Sequence, residues 1–168
     1  MKRISKNDLG FSLIELIIVV SITGILLSIA AINFSSWNKK VQIEKQTREI
    51  FNDFNNARSE SIFKKKRHSI VFNGTGDGYS FKIYNSHDES KFAGTVVFSK
   101  KYSNAIRSEN GSVIPDNTTL LYDIRGFALD EKTIRVEPID SGAAYDCIVI
   151  SPSRTNIGQM SGGVCVQK

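Results

Sequence analysis

The run from Leu16 to Phe34 carries no charged side chain, and it constrains the chain more than any other stretch. It is close to the roughly 20 residues a helix needs to cross a hydrocarbon layer about 30 Å thick. One acid, Glu15, stands immediately before it, behind Gly10-Phe11-Ser12-Leu13-Ile14. Lys2, Arg3 and Lys6 flank the segment on one side, and Lys39 and Lys40 on the other. A cleavable secretory signal has a shorter apolar core, about 7–15 residues, closed by a small-residue cut site. Here the apolar part is too long, and no Ala-x-Ala pattern closes it. A plain membrane anchor accounts for the length and the flanks but needs no acid at position 15. An ionisable group in such a segment costs about 2.5–3.5 kcal/mol at the helix centre, less near the interface, and points to function. The rest of the chain is more polar. It reads as an extracytoplasmic domain delivered on a hydrophobic N-terminal helix.

The stretch Gly10-Phe11-Ser12-Leu13-Ile14-Glu15-Leu16 resembles the N-terminal motif of type IV prepilins and type II secretion pseudopilins. The resemblance implies that a membrane prepilin peptidase cuts on the cytoplasmic side, between Gly10 and Phe11, and methylates the new amino terminus of Phe11. Glu15 then falls where this class carries its acid. Residues 1–10 become a leader, residues 11–38 the transmembrane and filament-core half of a first helix, and residues 39–168 a periplasmic globular domain. The implied location is the bacterial inner membrane, as a single span, and then a pilus or pseudopilus. The implied partners are other pilins or pseudopilins, the peptidase and an inner-membrane assembly platform.

The role implied for Glu15 has a physical basis. A lone carboxylate is unfavourable in a bilayer, and the new amino terminus of a neighbouring subunit supplies the opposite charge. Such a pair interacts far more strongly in low dielectric than in water, and an unpaired buried acid is heavily penalised. Glu15 is therefore expected to promote subunit docking and set axial register. Gly24 weakens helix by about 1 kcal/mol relative to alanine. It marks either a place where the helix loosens on assembly or a site of close packing. Positions 11 to 114 contain no proline; major pilins often carry one along this helix, so its absence leans toward a pseudopilin or minor pilin.

Helical periodicity continues beyond the apolar run. Ile43, Thr47, Ile50, Phe54, Ala57 and Ser61 recur at alternating spacings of four and three, and Phe51 and Ile62 widen the stripe. Glu44, Lys45, Arg48, Glu49, Asp53 and Glu60 occupy mostly other faces. Glu44–Arg48 is a favourable i,i+4 neighbour pair and Glu49–Asp53 an unfavourable one. A helix from Phe11 to about Phe63 would be roughly 80 Å long, with one apolar face in its second half that the later chain must cover. Lys64-Lys65-Lys66-Arg67 follows. These cations suit a solvated helix end, where they complement the dipole. They are also candidate contacts for phosphates of lipid or DNA.

After Arg67 the period shortens. Strands are expected at 68–73, 79–84, 95–102, 119–124, 133–137, 146–151 and 163–167. Gly74-Thr75-Gly76-Asp77-Gly78 marks a turn, Arg125-Gly126 a hairpin or bulge, and residues 86–94 and 103–117 loops. Strand upon strand behind one long helix argues for an α+β domain: a pilin-like helix packed on an antiparallel β-sheet.

This half is similar to the GspH/FimT family of pseudopilins and minor pilins. The likeness rests on Ala57-Arg58-Ser59-Glu60-Ser61-Ile62 before the strand Ile70-Val71-Phe72, on Leu121-Tyr122-Asp123-Ile124-Arg125-Gly126-Phe127, and on Cys147-Ile148-Val149-Ile150-Ser151 as a penultimate strand. Members initiate assembly or sit near the tip as minor subunits. The FimT branch is linked to DNA uptake through a Gly-Arg-x-Arg tail. The matching region here, Ser153-Arg154-Thr155-Asn156-Ile157-Gly158-Gln159, has one arginine and no Gly-Arg pair. Phosphate binding scales with the number of neutralised contacts, so the departure weakens a DNA role. Arg154, Lys64, Lys65, Lys66 and Arg67 stand as candidate contacts, with Lys100 and Lys101 if the fold brings them together.

Cys147 and Cys165 are the only cysteines. Outside the cytoplasm they can bridge, and a loop of this size is worth about 3 kcal/mol in the chain-entropy model; the alternative is two buried thiols. Pilin-like domains often carry a C-terminal bridge of this kind. With His68 and His87 as the only histidines, neither a zinc site nor a general-base mechanism finds its usual residues. Asp77 with Asp88 is weak evidence for calcium. The glycine cluster at 74–78 lacks the lysine and helix of a phosphate loop. No cofactor, metal or catalytic role is expected. The net charge is +5, falling to about +3 once the leader is removed, and does not by itself demand a nucleic-acid partner.

Overall fold

A computed structural model of the chain describes residues 11–86, 89–90 and 93–168, without the side chains of 30–33. The helix α1 runs Leu13–Lys64. The chain divides into two compact units, one ending at Asn38 and the other spanning Lys39–Lys168.

In the first unit, α1 is long and apolar enough to cross a membrane, and none of its apolar window is buried by the chain itself. Its hydroxyls turn inward: Ser21 donates to the Ile17 carbonyl at 2.8 Å, Thr23 to Val19 at 2.9 Å and Ser28 to Gly24 at 2.9 Å. The polar atoms are thereby satisfied within the helix, as a lipid-facing surface requires.

In the second unit, the amphipathic part of α1 packs on two antiparallel sheets. The expected stripe is the buried one: Ile43, Thr47, Ile50, Phe54, Ala57 and Ser61 are each at most 3% exposed. Ile62 departs from it and is exposed, and Gln46 and Asp53 join the buried face. The helix ends where Lys65 takes φ +54°, the left-handed step that commonly closes an α-helix. The first sheet has the order β3-β2-β1-β5, with β1 at His68–Phe72, β2 at Gly78–Ile83, β3 at Thr95–Lys101 and β5 at Thr119–Tyr122. The second has the order β4-β6-β7-β8-β9, with β4 at Ile106–Ser108, β6 at Lys132–Val136, β7 at Cys147–Ile150, β8 at Thr155–Ser161 and β9 at Val164–Gln167. Phe54 anchors the core. It meets Phe72 and Tyr79 edge-on at 6.2 and 5.6 Å, with Ile70, Leu120, Ile134, Val136, Ile148 and Ile150 around them.

The helix packs on an antiparallel β-domain as expected, and that domain consists of two sheets. Two expectations need correction. A short strand, β4, lies within the expected loop 103–117, held to β6 through Ile106↔Val136. The region compared with a FimT tail is the β7–β8 turn and strand β8, which makes β7 third from last. β8 escaped notice because Asn156, Gly158, Gln159 and Ser161 break the apolar alternation that marks a strand.

Candidate functional site

Phe11 and Glu15 stand at the head of α1. Glu15 lies in the first turn, where an acid complements the positive end of the helix dipole, and the Leu16 N–H donates to the Ser12 carbonyl at 3.2 Å. Phe11, Glu15, Leu16, Val19 and Val20 share a shallow apolar surface groove of about 360 Å³. Phe11 is 87% exposed, and Glu15 is exposed as well. Glu15 is thus the one ionisable side chain in a groove otherwise lined by apolar residues. Gly24 sits inside continuous helix with nothing within 4 Å of where a Cβ would stand. Any close packing at Gly24 therefore involves another molecule. Gly10 and the rest of the expected leader lie outside the described residues, as do His87 and Asp88.

The basic residues divide. Lys64 Nζ donates to Glu60 Oε2 at 2.8 Å. That bond is the main cause of a Glu60 carboxyl held below its usual range, with the nearby His68 adding to it. Arg67 donates to the Glu89 carbonyl at 3.3 Å and lies over the Tyr84 ring. Lys65, Lys66 and Arg67 line a small pocket with Tyr84, Asn85, Ser86 and Ile124. Arg154 is exposed in the β7–β8 turn. Pro152 in that turn accepts the Ala128 N–H, Ala128 bridges Tyr122, and Tyr122 pairs with His68. The turn therefore stands toward the end of the domain that holds residues 64–67.

Lys100 and Lys101 do not join them. His68 aligns with Ile83 and Ile83 with Thr95, whereas Lys101 aligns with Gly78. That puts the two lysines at the other end of the sheet, about 20 Å along the strands. Each also has a partner: Lys100 Nζ donates to Asp53 Oδ2 at 2.6 Å, and Lys101 lies 3.7 Å from Asp77. Asp77 further accepts from Asn73 and Thr75 within its turn.

Sequence reasoning missed the role of Asp53. It belongs to the buried face and accepts from Tyr79 Oη at 2.8 Å as well as from Lys100. Tyr79 and Tyr102 share a hydrogen bond of 2.9 Å, and burial pushes the Tyr102 hydroxyl up to about 12. Glu44 and Arg48 likewise turn to the domain. Glu44 Oε1 accepts the Ala144 N–H at 2.7 Å, and Arg48 lies over the Tyr145 ring. These polar ties lock the helix onto the sheets. Position 53 gave itself away only by falling three residues after Ile50 and four before Ala57, inside the apolar stripe.

Cys147 and Cys165 form a disulfide, with Cα atoms 6.0 Å apart and a sequence separation of 18. It links β7 to β9 across Gly158 of β8, which pairs with Cys147 on one side and Gln167 on the other. Among the described residues no group of three or more His, Cys, Asp or Glu is placed to hold a metal ion.

Residues 5–31 match the family model of the prokaryotic N-terminal methylation motif. The match spans the expected cut site, Glu15 and most of the apolar run, and it supports the type IV pilin or pseudopilin class. No curated protein and no solved structure matches the chain.

Proposed function

We propose that this chain is a minor pilin or pseudopilin of the GspH/FimT kind. On this reading it is a non-catalytic structural subunit that takes part in initiating, or capping the tip of, a type IV pilus or type II secretion pseudopilus. It is cut after Gly10, methylated on Phe11, held in the inner membrane by residues 11–38 with its domain in the periplasm, and then drawn into the filament beside other pilin-like subunits. The observation that carries the reading is Glu15, a carboxyl group set among exposed apolar side chains, Phe11 included, at the head of α1. In lipid such a charge is stable only when paired, and removing one partner of a buried pair costs about 3–5 kcal/mol. The amino terminus of a neighbouring subunit meets that need. The test is Glu15→Ala in cells that carry the assembly apparatus. The expected result is normal cleavage with loss of the chain from sheared filaments; normal incorporation refutes the docking role.

A second reading, a DNA-binding minor pilin, draws support from Lys65, Lys66 and Arg154, exposed toward one end of the domain. It predicts a salt-dependent shift of duplex DNA that weakens with Arg154→Ala or with alanine at 64–67. Absence of any shift at low salt dismisses it.

A further inference from the structure

The composition of α1 changes at Asn33. From Leu16 to Ile32 the run is aliphatic, broken only by Ser21, Thr23, Gly24 and Ser28. It then reads Asn33-Phe34-Ser35-Ser36-Trp37-Asn38, in which small polar residues surround two large aromatics, and Lys39 and Lys40 follow in sequence. Between Met1 and Asn38 aromatic residues occur only at Phe11, Phe34 and Trp37. They stand at the two ends of the apolar run and nowhere within it.

Phe34 and Trp37 are about one helical turn apart on α1, so they share a face. Their ring centroids are 6.0 Å apart and their planes are inclined by 35°, a spacing that aromatic pairs favour. The pair buries little against the chain: Phe34 is 63% and Trp37 58% exposed. An indole joins a large apolar body to a single N–H donor. Rings of that kind collect where hydrocarbon meets headgroups, because one part seeks the acyl chains and the other an acceptor. Lysines beside such a belt carry their ammonium groups outward into the headgroup layer.

The distance to Glu15 matches a bilayer. Along the continuous helix Glu15 and Trp37 lie about 33 Å apart, against about 30 Å of hydrocarbon. A tilt of about 20° still leaves about 31 Å along the membrane normal. With the Trp37 ring at one boundary, Glu15 therefore reaches the other, where an ionisable group costs less than at the centre.

We propose that Phe34 and Trp37 form an interfacial anchor that seats in the outer headgroup layer of the membrane and fixes the depth of α1. The partner is the lipid surface itself: the upper acyl chains take the two rings, and lipid ester or phosphate oxygens accept the indole N–H. The proposal rests on the membrane-span part of the reading above, and deepens it. A chain cut after Gly10 has lost Lys2, Arg3 and Lys6, and the aromatic pair then holds its depth from the other side. So held, it keeps Glu15 at the inner boundary. Only outward movement of the helix on assembly carries that carboxyl into hydrocarbon, where it needs a partner.

Trp37 is the only tryptophan of the chain, so its fluorescence reports one position. The test uses the full chain, reconstituted at low protein-to-lipid ratio into phosphatidylcholine vesicles brominated either high on the acyl chains or near their ends. The expected result is quenching by the shallow bromines at least twofold above that by the deep ones, and weaker quenching by aqueous iodide than by either. That ratio should hold from short-chain to long-chain lipids, since an anchored ring stays at its boundary and the mismatch falls at the Glu15 end. Phe34→Leu removes the ring packed on Trp37 and should let the ratio fall at least twofold in long-chain vesicles; an unchanged ratio in that variant removes Phe34 from the anchor. In the parent chain, stronger quenching by deep bromines, a ratio that falls steadily as the acyl chains lengthen, or iodide quenching above that of either lipid overturns the anchor alone. Shallow quenching that fades as the protein-to-lipid ratio rises shows that a second copy covers the rings in place of lipid, and overturns it too. A chain that alkaline carbonate strips from the vesicles overturns the membrane span first, and this proposal with it. None of these outcomes depends on cleavage or assembly, so failure of the anchor is distinct from failure of docking through Glu15.

Discussion

Gly158→Ala is a small change with a large expected effect. Gly158 lies on β8 between the two bridged cysteines. A methyl group built there would stand 2.5 Å from the Val166 carbonyl oxygen, 2.9 Å from Cys165 Sγ and 3.0 Å from the Val166 carbonyl carbon. Two of these atoms are backbone of the paired strand β9, so no side-chain rotation relieves the contact. β9 must move away from β8, while the disulfide holds its Cys165 to β7. Overpacking of this kind costs about 1–3 kcal/mol, which for a domain of this size lowers the thermal midpoint by about 3–15 °C. The assay is thermal unfolding of the full chain in detergent, followed by near-ultraviolet circular dichroism, which reports the buried tyrosines Tyr79, Tyr84 and Tyr122. Opening the disulfide by Cys147→Ser with Cys165→Ser should relieve the sulfur contact but not the carbonyl contact. The cost of Gly158→Ala should therefore shrink in that background without vanishing. A midpoint unchanged by Gly158→Ala in the parent chain refutes the close approach. A cost identical in both backgrounds refutes the coupling to the disulfide.

The disulfide itself should contribute about 3 kcal/mol, since it closes a loop with a sequence separation of 18. The double serine variant is expected to unfold at correspondingly lower guanidinium concentration, with hydrogen exchange at β9 accelerated most; exchange spread evenly over both sheets would contradict that. A pH effect is expected at Asp123. Burial pushes its carboxyl up, but the N–H groups of Phe127 and Arg125 and the Arg125 guanidinium, at 2.8–2.9 Å, outweigh burial and hold it below its usual value. A depressed carboxylate stabilises the fold above its unfolded value of about 3.9, and that contribution is lost as pH falls through the lower folded value. Asp146 runs the other way: burial raises it despite the Met160 N–H at 2.6 Å, so its contribution is gained as pH falls. The stability difference between parent and Asp123→Asn should therefore be constant near neutral pH and shrink below about pH 4. A difference that does not change with pH would show that the carboxylate charge plays no part in that turn.

The sequence was most legible where one physical demand governs many residues. The stripe Ile43–Thr47–Ile50–Phe54–Ala57–Ser61 is buried as its spacing required, because a helix has one face to hide and 3.6 residues per turn to do it. Strands β1, β2, β3, β5, β6, β7 and β9 lie where alternation or apolar runs placed them. β4 and β8 did not show, one because three residues carry no period and the other because a polar, glycine-containing strand has none. Asp53 and Glu44 looked like solvent-facing charges because pattern reasoning sees one helix at a time. Their partners, Tyr79 with Lys100 and the Ala144 N–H, come from strands and loops far along the chain. The convergence of basic residues was equally illegible, since it depends on register: the pairing of Lys101 with Gly78 sets it apart from His68. At the N-terminus the reverse holds. Gly10, Phe11 and Glu15 are recognisable in sequence because they belong to a short contiguous motif, matched over residues 5–31, that needs no distant partner to be read.

The most direct measurement of the central claim is the mass of the N-terminal peptide of the chain recovered from membranes of cells that contain a prepilin peptidase. The account predicts a peptide that begins at Phe11 and is heavier by one methyl group on its amino terminus. It further predicts that Gly10→Asp leaves the chain uncut. A recovered chain that still begins at Met1 in the presence of active peptidase, or one cut behind the apolar run near Ala31, would contradict it.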